Sequence, residues 1–95
     1  MNRSTVSILV VDDHALVREM LASRLATEDY LSVVGTAGDG ATAVRVALQA
    51  RPDVVLMDVD MPGLSAFDAA REIRDTLPDT RVLFVSGYLN DSYIE

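Results

Sequence analysis

The sequence contains no cysteine, so it can form neither disulfide bonds nor thiolate metal sites. It also lacks any apolar run near the roughly 18 residues that a membrane-spanning helix requires, and we expect no membrane partner. Basic residues are few: eight, all of them arginine, stand against 15 acidic residues, and the formal net charge is −7. Because nucleic-acid binding depends on neutralising phosphates with basic side chains, we expect no direct nucleic-acid binding by this chain. An acidic balance is compatible with cation binding.

What remains is a short, rather apolar chain. Its 95 residues are enough for one small domain, and a hydrophobic content of 49% is enough to build a core. The residues before the first apolar run show no secretory-signal pattern, so the cytoplasm is the expected location.

Apolar runs alternate with segments of helical periodicity. The runs predict strands at residues 7–11, 30–34, 54–57 and 81–85. The periodic segments predict helices at residues 15–27, 40–50 and about 65–77, with the cap of another at Asn90 or Asp91. Three of the strands are almost unbroken apolar runs, typical of a parallel sheet covered on both faces, whereas the more polar second strand indicates a sheet edge. The alternation predicts an α/β fold with right-handed crossovers.

The periodicity also predicts which apolar side chains the helices bury. The expected set is Val17, Met20, Leu21 and Leu25 in the first helix, Val44, Ala47 and Leu48 in the second, and Phe67, Ala70, Ile73 and Leu77 in the third. Asp39 and Ser65 stand immediately before the second and third helices, where side-chain oxygens can accept bonds from unpaired backbone N–H groups. We therefore expect both residues to cap their helices.

Oxygen-bearing side chains follow the ends of three predicted apolar strands. Asp12 and Asp13 follow the first, Asp58 the third and Ser86 the fourth. Because parallel strands end at one edge of the sheet, these side chains should meet in a crevice where such folds bind ligands. Carboxylates held close together raise one another's pKa or require a counter-ion. A hard divalent cation such as Mg²⁺ suits oxygen ligands, and a carboxylate beside it is a plausible nucleophile toward a phosphoryl group.

Each of these residues also has a simpler interpretation. Asp13 could cap the first helix, which is the commonest use of an aspartate in that position. His14 is expected to face solvent in the first turn, because a single histidine with no second histidine or cysteine nearby is weak evidence for a metal ligand. Asp60 could be a solvated loop residue, and Ser86 could belong to an ordinary turn. The convergence of several such residues at one sheet edge favours a site.

Three motifs together resemble the receiver domain of two-component response regulators. They are Leu-Val-Val-Asp-Asp-His at 9–14, the segment 54–63 with its Met-Pro-Gly turn, and the segment 82–87 that contains Ser86. The resemblance implies a flavodoxin-like (CheY-like) doubly wound sheet of strand order 2-1-3-4, with residues 1–95 forming one receiver domain truncated before a fifth strand and last helix. The Asp-Asp-His spelling is similar to receivers of the NarL-type class, whose helix-turn-helix output domain would be absent from this chain.

The resemblance also implies roles for individual residues. Asp58 would accept a phosphoryl group from a partner sensor histidine kinase and relay the signal to an output, namely transcription regulation. Asp13 would bind Mg²⁺ directly and Asp12 through water, with Asp58 and the backbone carbonyl of Asp60 completing the protein ligands. Ser86 would hydrogen-bond the phosphoryl group and move with the switch. On this interpretation the chain is not an enzyme.

The sequence departs from the family pattern in two ways. It contains no lysine, whereas the family places a lysine against the phosphoryl group, and Ala66 stands where the family most often has glycine. Alanine is acceptable there unless the backbone requires a positive φ. The missing lysine leaves open a receiver remnant that no longer takes phosphate. The Asp-Val-Asp spelling of residues 58–60 resembles the nucleophile motif of Mg²⁺-dependent phosphohydrolases of the haloacid-dehalogenase type, so that alternative also stays open. An apolar fourth strand at the sheet edge and an uncovered first helix further predict a homodimer or other self-association.

Overall fold

The computed structural model describes residues 5–85. Its elements are β1 (Val6–Val11), α1 (Ala15–Ala26), β2 (Leu31–Ala37), α2 (Gly40–Ala50), β3 (Val54–Asp58), α3 (Ala66–Thr76) and β4 (Arg81–Val85). Within these residues the four strands form one parallel sheet in the order β2-β1-β3-β4. The predicted α/β fold class and strand order are confirmed. Ser86 and the predicted cap at Asn90 or Asp91 lie outside the described residues.

The apolar runs of β1 and β3 form the centre of the sheet because each has a strand on both sides. Leu9, Val55 and Met57 are fully buried, and they pack against the inward faces of the α2 and α3 helices. Burial of two central strands explains their nearly unbroken apolar sequence. The strand β2 lies at an edge, as its more polar sequence predicts, although it extends to Ala37 rather than ending at Val34.

Both predicted helix caps are present. The Asp39 carboxylate accepts a hydrogen bond of 2.8 Å from the Thr42 backbone N–H at the start of α2. The Ser65 hydroxyl oxygen accepts one of 3.1 Å from the Asp68 N–H at the start of α3. Among residues 5–85, a positive φ is found at Arg51 and Gly63 alone. Ala66 is therefore unstrained, and this departure from the family pattern has no backbone cost.

Three predicted inward positions are wrong. Met20, Leu48 and Phe67 are respectively 62%, 39% and 60% exposed. In α3 the inward stripe is made by Ala66, Ala69, Ala70 and Ile73. Phe67 lies one residue off that stripe, about 100° around the helix, and its ring packs instead on Phe84 with centroids 4.8 Å apart.

The α2 helix resembles α3 in burying small residues while a larger apolar residue next to them stays exposed. Its buried residues are Gly40, Ala43 and Ala47, and Leu48 lies one position past the stripe. Small side chains on the inward stripes bring α2 and α3 close to each other and to the sheet. A Cβ added to Gly40 would come within 2.7 Å of the Leu64 carbonyl oxygen, which shows how closely α2 approaches the β3–α3 loop.

The α1 helix is less covered than α2 and α3. None of its residues is fully buried, although Val17, Leu21 and Leu25 are half-buried on the sheet side as predicted. Leu16 and Met20 lie on the solvent side, with exposed fractions of 69% and 62%. None of the described helices has the length and apolarity that a membrane crossing requires.

Candidate metal centre

The pairing of β1 with β3 places Asp12 beside Asp58. Val11 is the register partner of Met57, so the residue that follows each of them stands at the same level of the sheet. Asp58 ends β3, and Asp12 is fixed by its backbone N–H, which donates a 3.1 Å bond to the Ala37 carbonyl of the β2 end. The carboxyl ends of β1, β2 and β3 therefore meet at this position, and the predicted contribution of Ser86 from the fourth strand lies outside the described residues.

The structure brings four potential ligands together there. One side-chain atom from each of Asp12, Asp13, His14 and Asp58 can be chosen so that all four atoms lie within 4.8 Å of one another. Asp12 and Asp58 are almost completely buried, at 1% and 0% exposure. Such separations suit ligands of a single ion, because metal–oxygen bonds of about 2.1 Å keep opposite ligands roughly 4.2 Å apart.

The hydrogen bonds of the site leave some carboxylate oxygens without donors. Asp58 Oδ1 accepts a 3.0 Å bond from the Asp60 backbone N–H, and Asp12 Oδ1 accepts one of 2.9 Å from the His14 N–H. Asp58 Oδ2 and Asp13 Oδ1 are buried and have no hydrogen-bond partner. Buried acceptors are normally paired, so two orphaned oxygens at one point indicate a missing positive group.

Electrostatics lead to the same conclusion. Burial raises the pKa of Asp58, and the negative charges of Asp12 and Asp13 raise it further, while the hydrogen bond from the Asp60 N–H partly offsets both effects. The dominant cause is desolvation, which penalises the ionised carboxylate. A divalent cation would remove this penalty and occupy the orphaned oxygens. A donor set of carboxylate oxygens fits Mg²⁺.

The structure also separates the alternatives for individual residues. The N-cap of α1 is His14, and no side chain caps that helix. The interpretation of Asp13 as a helix cap is therefore wrong, and its orphaned Oδ1 is free for another role. Asp60 is exposed and contributes a backbone N–H to Asp58, whereas the predicted use of its carbonyl stays a prediction. The predicted role of Ser86 falls on a residue outside those the structure describes.

Two residues near the site were not predicted. His14 was expected to face solvent, and its side chain is indeed 62% exposed, but Nδ1 lies 3.3 Å from Asp12 Oδ1 and 3.1 Å from Asp13 Oδ1. Arg18 donates from Nη1 to the Asp12 backbone carbonyl at 2.8 Å. Helical spacing could have indicated that Arg18 lies near the site, because it is four residues after His14 and therefore on the same face of α1.

Comparisons with known proteins agree with this geometry. Residues 8–95 match the family described as "Response regulator receiver domain". The chain is 40% identical to the transcriptional regulatory protein MctR of Rhizobium johnstonii, with 97% of this chain and 43% of that protein covered. It is 43% identical to the response regulator GacA of Pseudomonas aeruginosa, with 93% and 41% covered.

A solved structure shows the same similarity. A signal receiver domain from Mycobacterium tuberculosis superposes with a TM-score of 0.83 at 35% identity, over 97% of this chain and 74% of that one. The chain spans about two fifths of the length of the curated relatives it matches.

Proposed function

Because the chain belongs to the family of response regulator receiver domains, we propose that Asp58 is its phosphoacceptor and that the reaction requires Mg²⁺. The observation that carries the proposal is the orphaned Asp58 Oδ2, an acceptor without a donor on a carboxylate that is 0% exposed. No other aspartate among residues 5–85 combines full burial with a side-chain oxygen that lacks a partner.

The chemistry follows from the two Asp58 oxygens. Oδ1 accepts a hydrogen bond from the Asp60 N–H, which orients the carboxylate that acts as the nucleophile. Attack of an Asp58 carboxylate oxygen on the phosphorus of a phosphohistidine forms a P–O bond and breaks the P–N bond, and the departing imidazole takes a proton from water. The product is an aspartyl phosphate, a mixed anhydride of the kind that carboxylate nucleophiles form.

Mg²⁺ would be held by the carboxylates of Asp13 and Asp58, with Asp12 acting through water and the Asp60 carbonyl as a further ligand. When bound, the ion supplies charge neutralisation between the anionic nucleophile and the anionic phosphoryl group. The protein's own contribution is to hold the three acids at one position and to keep Asp58 away from bulk water. Ser86, which directly follows β4, is proposed to hydrogen-bond the phosphoryl group.

The test is exposure of the chain to acetyl phosphate with Mg²⁺, followed by intact mass measurement. We expect one added phosphoryl group, none after Asp58→Asn, and none when EDTA replaces Mg²⁺. Asp75→Asn is the matched control, since Asp75 is an exposed aspartate on α3 and should leave the adduct unchanged. An adduct that persists in Asp58→Asn would contradict the assignment. Complete absence of an adduct in the unchanged chain would support the remnant interpretation.

We further infer that this chain accepts phosphate without being an enzyme. A Mg²⁺-dependent phosphohydrolase would release phosphate from a generic monoester through many turnovers. A receiver would release at most the phosphoryl group that it carries. Incubation with a chromogenic phosphate monoester and Mg²⁺ therefore distinguishes the two, and sustained release of phosphate that depends on Asp58 would reject the receiver function.

The proposed partner is a sensor histidine kinase, and the proposed output is regulation of transcription. Relatives described as transcriptional regulatory proteins support this proposal. A regulator of transcription works where the DNA is, so the proposal includes a cytoplasmic location. The output belongs to the whole protein, since this chain spans about two fifths of those relatives. Phosphotransfer from a purified kinase, with Asp58→Asn as the negative control, tests the partner.

A second copy of the chain is the other proposed partner. Among the described strands β4 pairs with β3 alone, and its Leu83 and Phe84 are 52% and 36% exposed. Leu16 and Met20 add an exposed apolar surface on α1. An apolar edge strand is prone to pair with another chain. Sedimentation of the chain over a concentration series should show self-association that weakens in Leu83→Lys, and a monomer at all concentrations would reject this partner.

A further inference from the structure

The imidazole of His14 faces the acidic site although most of its surface is open to solvent. Nδ1 lies 3.1 Å from Asp13 Oδ1 and 3.3 Å from Asp12 Oδ1. The contact to Asp13 lacks hydrogen-bond geometry, and that oxygen has no hydrogen-bond partner. The backbone contributes to this arrangement, because the His14 N–H donates to Asp12 Oδ1 at 2.9 Å and holds the turn that joins β1 to α1.

The 3.1 Å between Nδ1 and Asp13 Oδ1 is a separation typical of adjacent ligands on one ion. With metal–ligand bonds of about 2.1 Å, neighbouring corners of an octahedron are roughly 3.0 Å apart, and those of a tetrahedron about 3.4 Å. A ring nitrogen of His14 belongs to a group of four side-chain atoms that lie within 4.8 Å of one another and that includes an Asp58 oxygen. The fully buried and unpartnered Asp58 Oδ2 is independent evidence that this position takes a positive group.

We infer that His14 Nδ1 is a further ligand of the ion at this site, and that it shifts the site's preference from Mg²⁺ toward borderline divalent ions such as Ni²⁺ and Zn²⁺. The inference rests on the proposed function in one respect: the ion concerned is the one that assists phosphoryl transfer to Asp58. Imidazole favours Ni²⁺ and Zn²⁺, whereas Mg²⁺ is satisfied by carboxylates, carbonyls and water. One nitrogen ligand should therefore discriminate between these ions without excluding Mg²⁺.

Binding through Nδ1 requires the imidazole tautomer that carries its proton on Nε2. The side chain is 62% exposed, so water can accept the Nε2–H bond and this tautomer needs no partner within the protein. Without an ion, the Nδ1–H tautomer can instead donate to Asp12 Oδ1 at 3.3 Å. Metal affinity and the state of Nδ1 are therefore the measurements that separate a ligand from a plain imidazole–carboxylate contact.

The experiment is calorimetric titration of the full chain with Mg²⁺, Mn²⁺ and Ni²⁺, repeated with His14→Ala and His14→Asn. We expect the Ni²⁺ affinity to fall at least tenfold in both variants, the Mn²⁺ affinity to fall less, and the Mg²⁺ affinity to change less than threefold. Asparagine is a favoured N-cap residue, so His14→Asn keeps the start of α1. Asp13→Asn is the positive control and should weaken all three ions.

A spectroscopic measurement reads the ligand directly. The chain contains a single histidine, so its imidazole ¹⁵N resonances belong to His14 without further assignment. Saturation with diamagnetic Zn²⁺ should move the Nδ1 resonance to the position of a metal-bound nitrogen, and Asp58→Asn should reduce this shift at equal Zn²⁺ concentration. An unmoved Nδ1 resonance, or an equal loss of Ni²⁺ and Mg²⁺ affinity in the His14 variants, overturns the inference.

The two proposals fail in different ways. If His14→Ala leaves the Ni²⁺-to-Mg²⁺ affinity ratio unchanged while Mg²⁺-dependent phosphorylation persists, the ligand inference fails and the proposed function stands. If Ni²⁺ binds through His14 but Asp58 takes no phosphoryl group, the proposed function fails and the ligand assignment stands. If the unchanged chain binds none of the three ions, both fail.

Discussion

The two ends of β3 carry aspartates in opposite circumstances. Asp53 stands just before the strand, and its Oδ2 accepts bonds from the Ser7 backbone N–H at 2.9 Å and the Ser7 hydroxyl at 3.1 Å. Asp58 ends the strand, and its Oδ2 has no partner. The Asp53 N–H in turn donates to the Ser7 hydroxyl oxygen at 2.9 Å, which closes a ring of hydrogen bonds.

The difference reflects what each end of the sheet does. At the amino end the Ser7–Asp53 ring and a buried bond from the Thr80 hydroxyl to the Pro52 carbonyl, 2.7 Å long, join neighbouring strands. At the carboxyl end three aspartates lie close together, and two of their carboxylate oxygens accept no hydrogen bond. Like charges and orphaned acceptors reduce stability. The amino end therefore stabilises the sheet, and the carboxyl end retains unsatisfied charge that a ligand can use.

The largest effect should come from supplying that ligand. We expect Mg²⁺ to raise the free energy of unfolding by about 2.7 kcal/mol at a concentration 100 times its dissociation constant, because the ion binds the folded site alone. The increment should vanish in Asp58→Asn and persist in Asp53→Asn, where the matched aspartate lies at the other end of the strand. Urea unfolding with Mg²⁺ or EDTA measures it. An equal Mg²⁺-dependent gain in the free energy of unfolding in both variants would mean that the ion does not bind specifically at the carboxyl end of β3.

A smaller loss should follow from breaking the amino end. Thr80→Val keeps the shape of the side chain but removes the donor to the Pro52 carbonyl, and Thr80 is only 6% exposed. We expect a loss of about 1–2 kcal/mol, typical of a buried acceptor left unpaired. Thr76→Val at the exposed end of α3 is the control and should change stability by less than about 0.5 kcal/mol. Equal effects would mean that the buried bond contributes nothing.

At the carboxyl end, removing a charge should stabilise the protein. In EDTA at neutral pH we expect Asp58→Asn to raise the free energy of unfolding by about 1 kcal/mol, because the variant relieves repulsion from Asp12 and Asp13 and the cost of a buried, unpaired acceptor. Chemical denaturation of the metal-free proteins measures the gain. A destabilised Asp58→Asn would indicate that the ionised carboxylate makes a favourable contact in the free protein.

The pH dependence of that gain has a defined sign. The pKa of Asp58 is raised in the folded state above its ordinary value of 3.8, so the folded protein holds the proton more tightly than the unfolded chain. At a pH below 3.8 this tighter proton binding contributes to the free energy of unfolding, and the contribution is lost as the pH rises through the folded-state pKa of Asp58. The advantage of Asp58→Asn should therefore be small at acidic pH and grow toward neutrality.

Much of this carboxyl end was predictable from sequence. Apolar runs that stop on acids gave the positions of Asp12, Asp13 and Asp58, because strand ends in a parallel sheet share one edge and few other arrangements are available. The side-chain direction of His14 was not predictable. It depends on the rotamer at the first turn of α1 and on where two carboxylates lie in space, and neither quantity leaves a trace in spacing or composition.

The helix faces show a different limit. An assignment from helical periodicity gives most weight to large apolar side chains, so Leu48 and Phe67 were expected in the core in preference to neighbouring small residues. The actual inward stripes consist mainly of alanine, including Ala43, Ala47 and Ala69, because close approach of the helices to the sheet leaves room for little more than a methyl group. Size complementarity between two elements is a property of their contact, and a single helix does not encode it.

The smallest expected effect concerns Asp39, an aspartate at the carboxyl edge that is fully paired. Its pKa is lowered, first by the hydrogen bond from the Thr42 backbone N–H and then by that from the Thr42 hydroxyl. The lowered pKa contributes stability above the ordinary value of 3.8, and this contribution is lost as the pH falls through the folded-state pKa. Asparagine caps helices about as well as aspartate, so Asp39→Asn should keep the cap and lose the charge.

We therefore expect Asp39→Asn to be slightly less stable than the unchanged chain at neutral pH and equal to it at acidic pH. This trend runs opposite to that of Asp58→Asn, whose advantage grows toward neutrality. Thermal unfolding of both variants across the acidic range, in EDTA, compares a paired aspartate with an unpaired one at the same edge of the sheet. Parallel pH profiles for the two variants would contradict this expectation. They would show that the free-energy cost of charging these carboxylates depends on their shared position at the sheet edge and not on hydrogen-bond pairing.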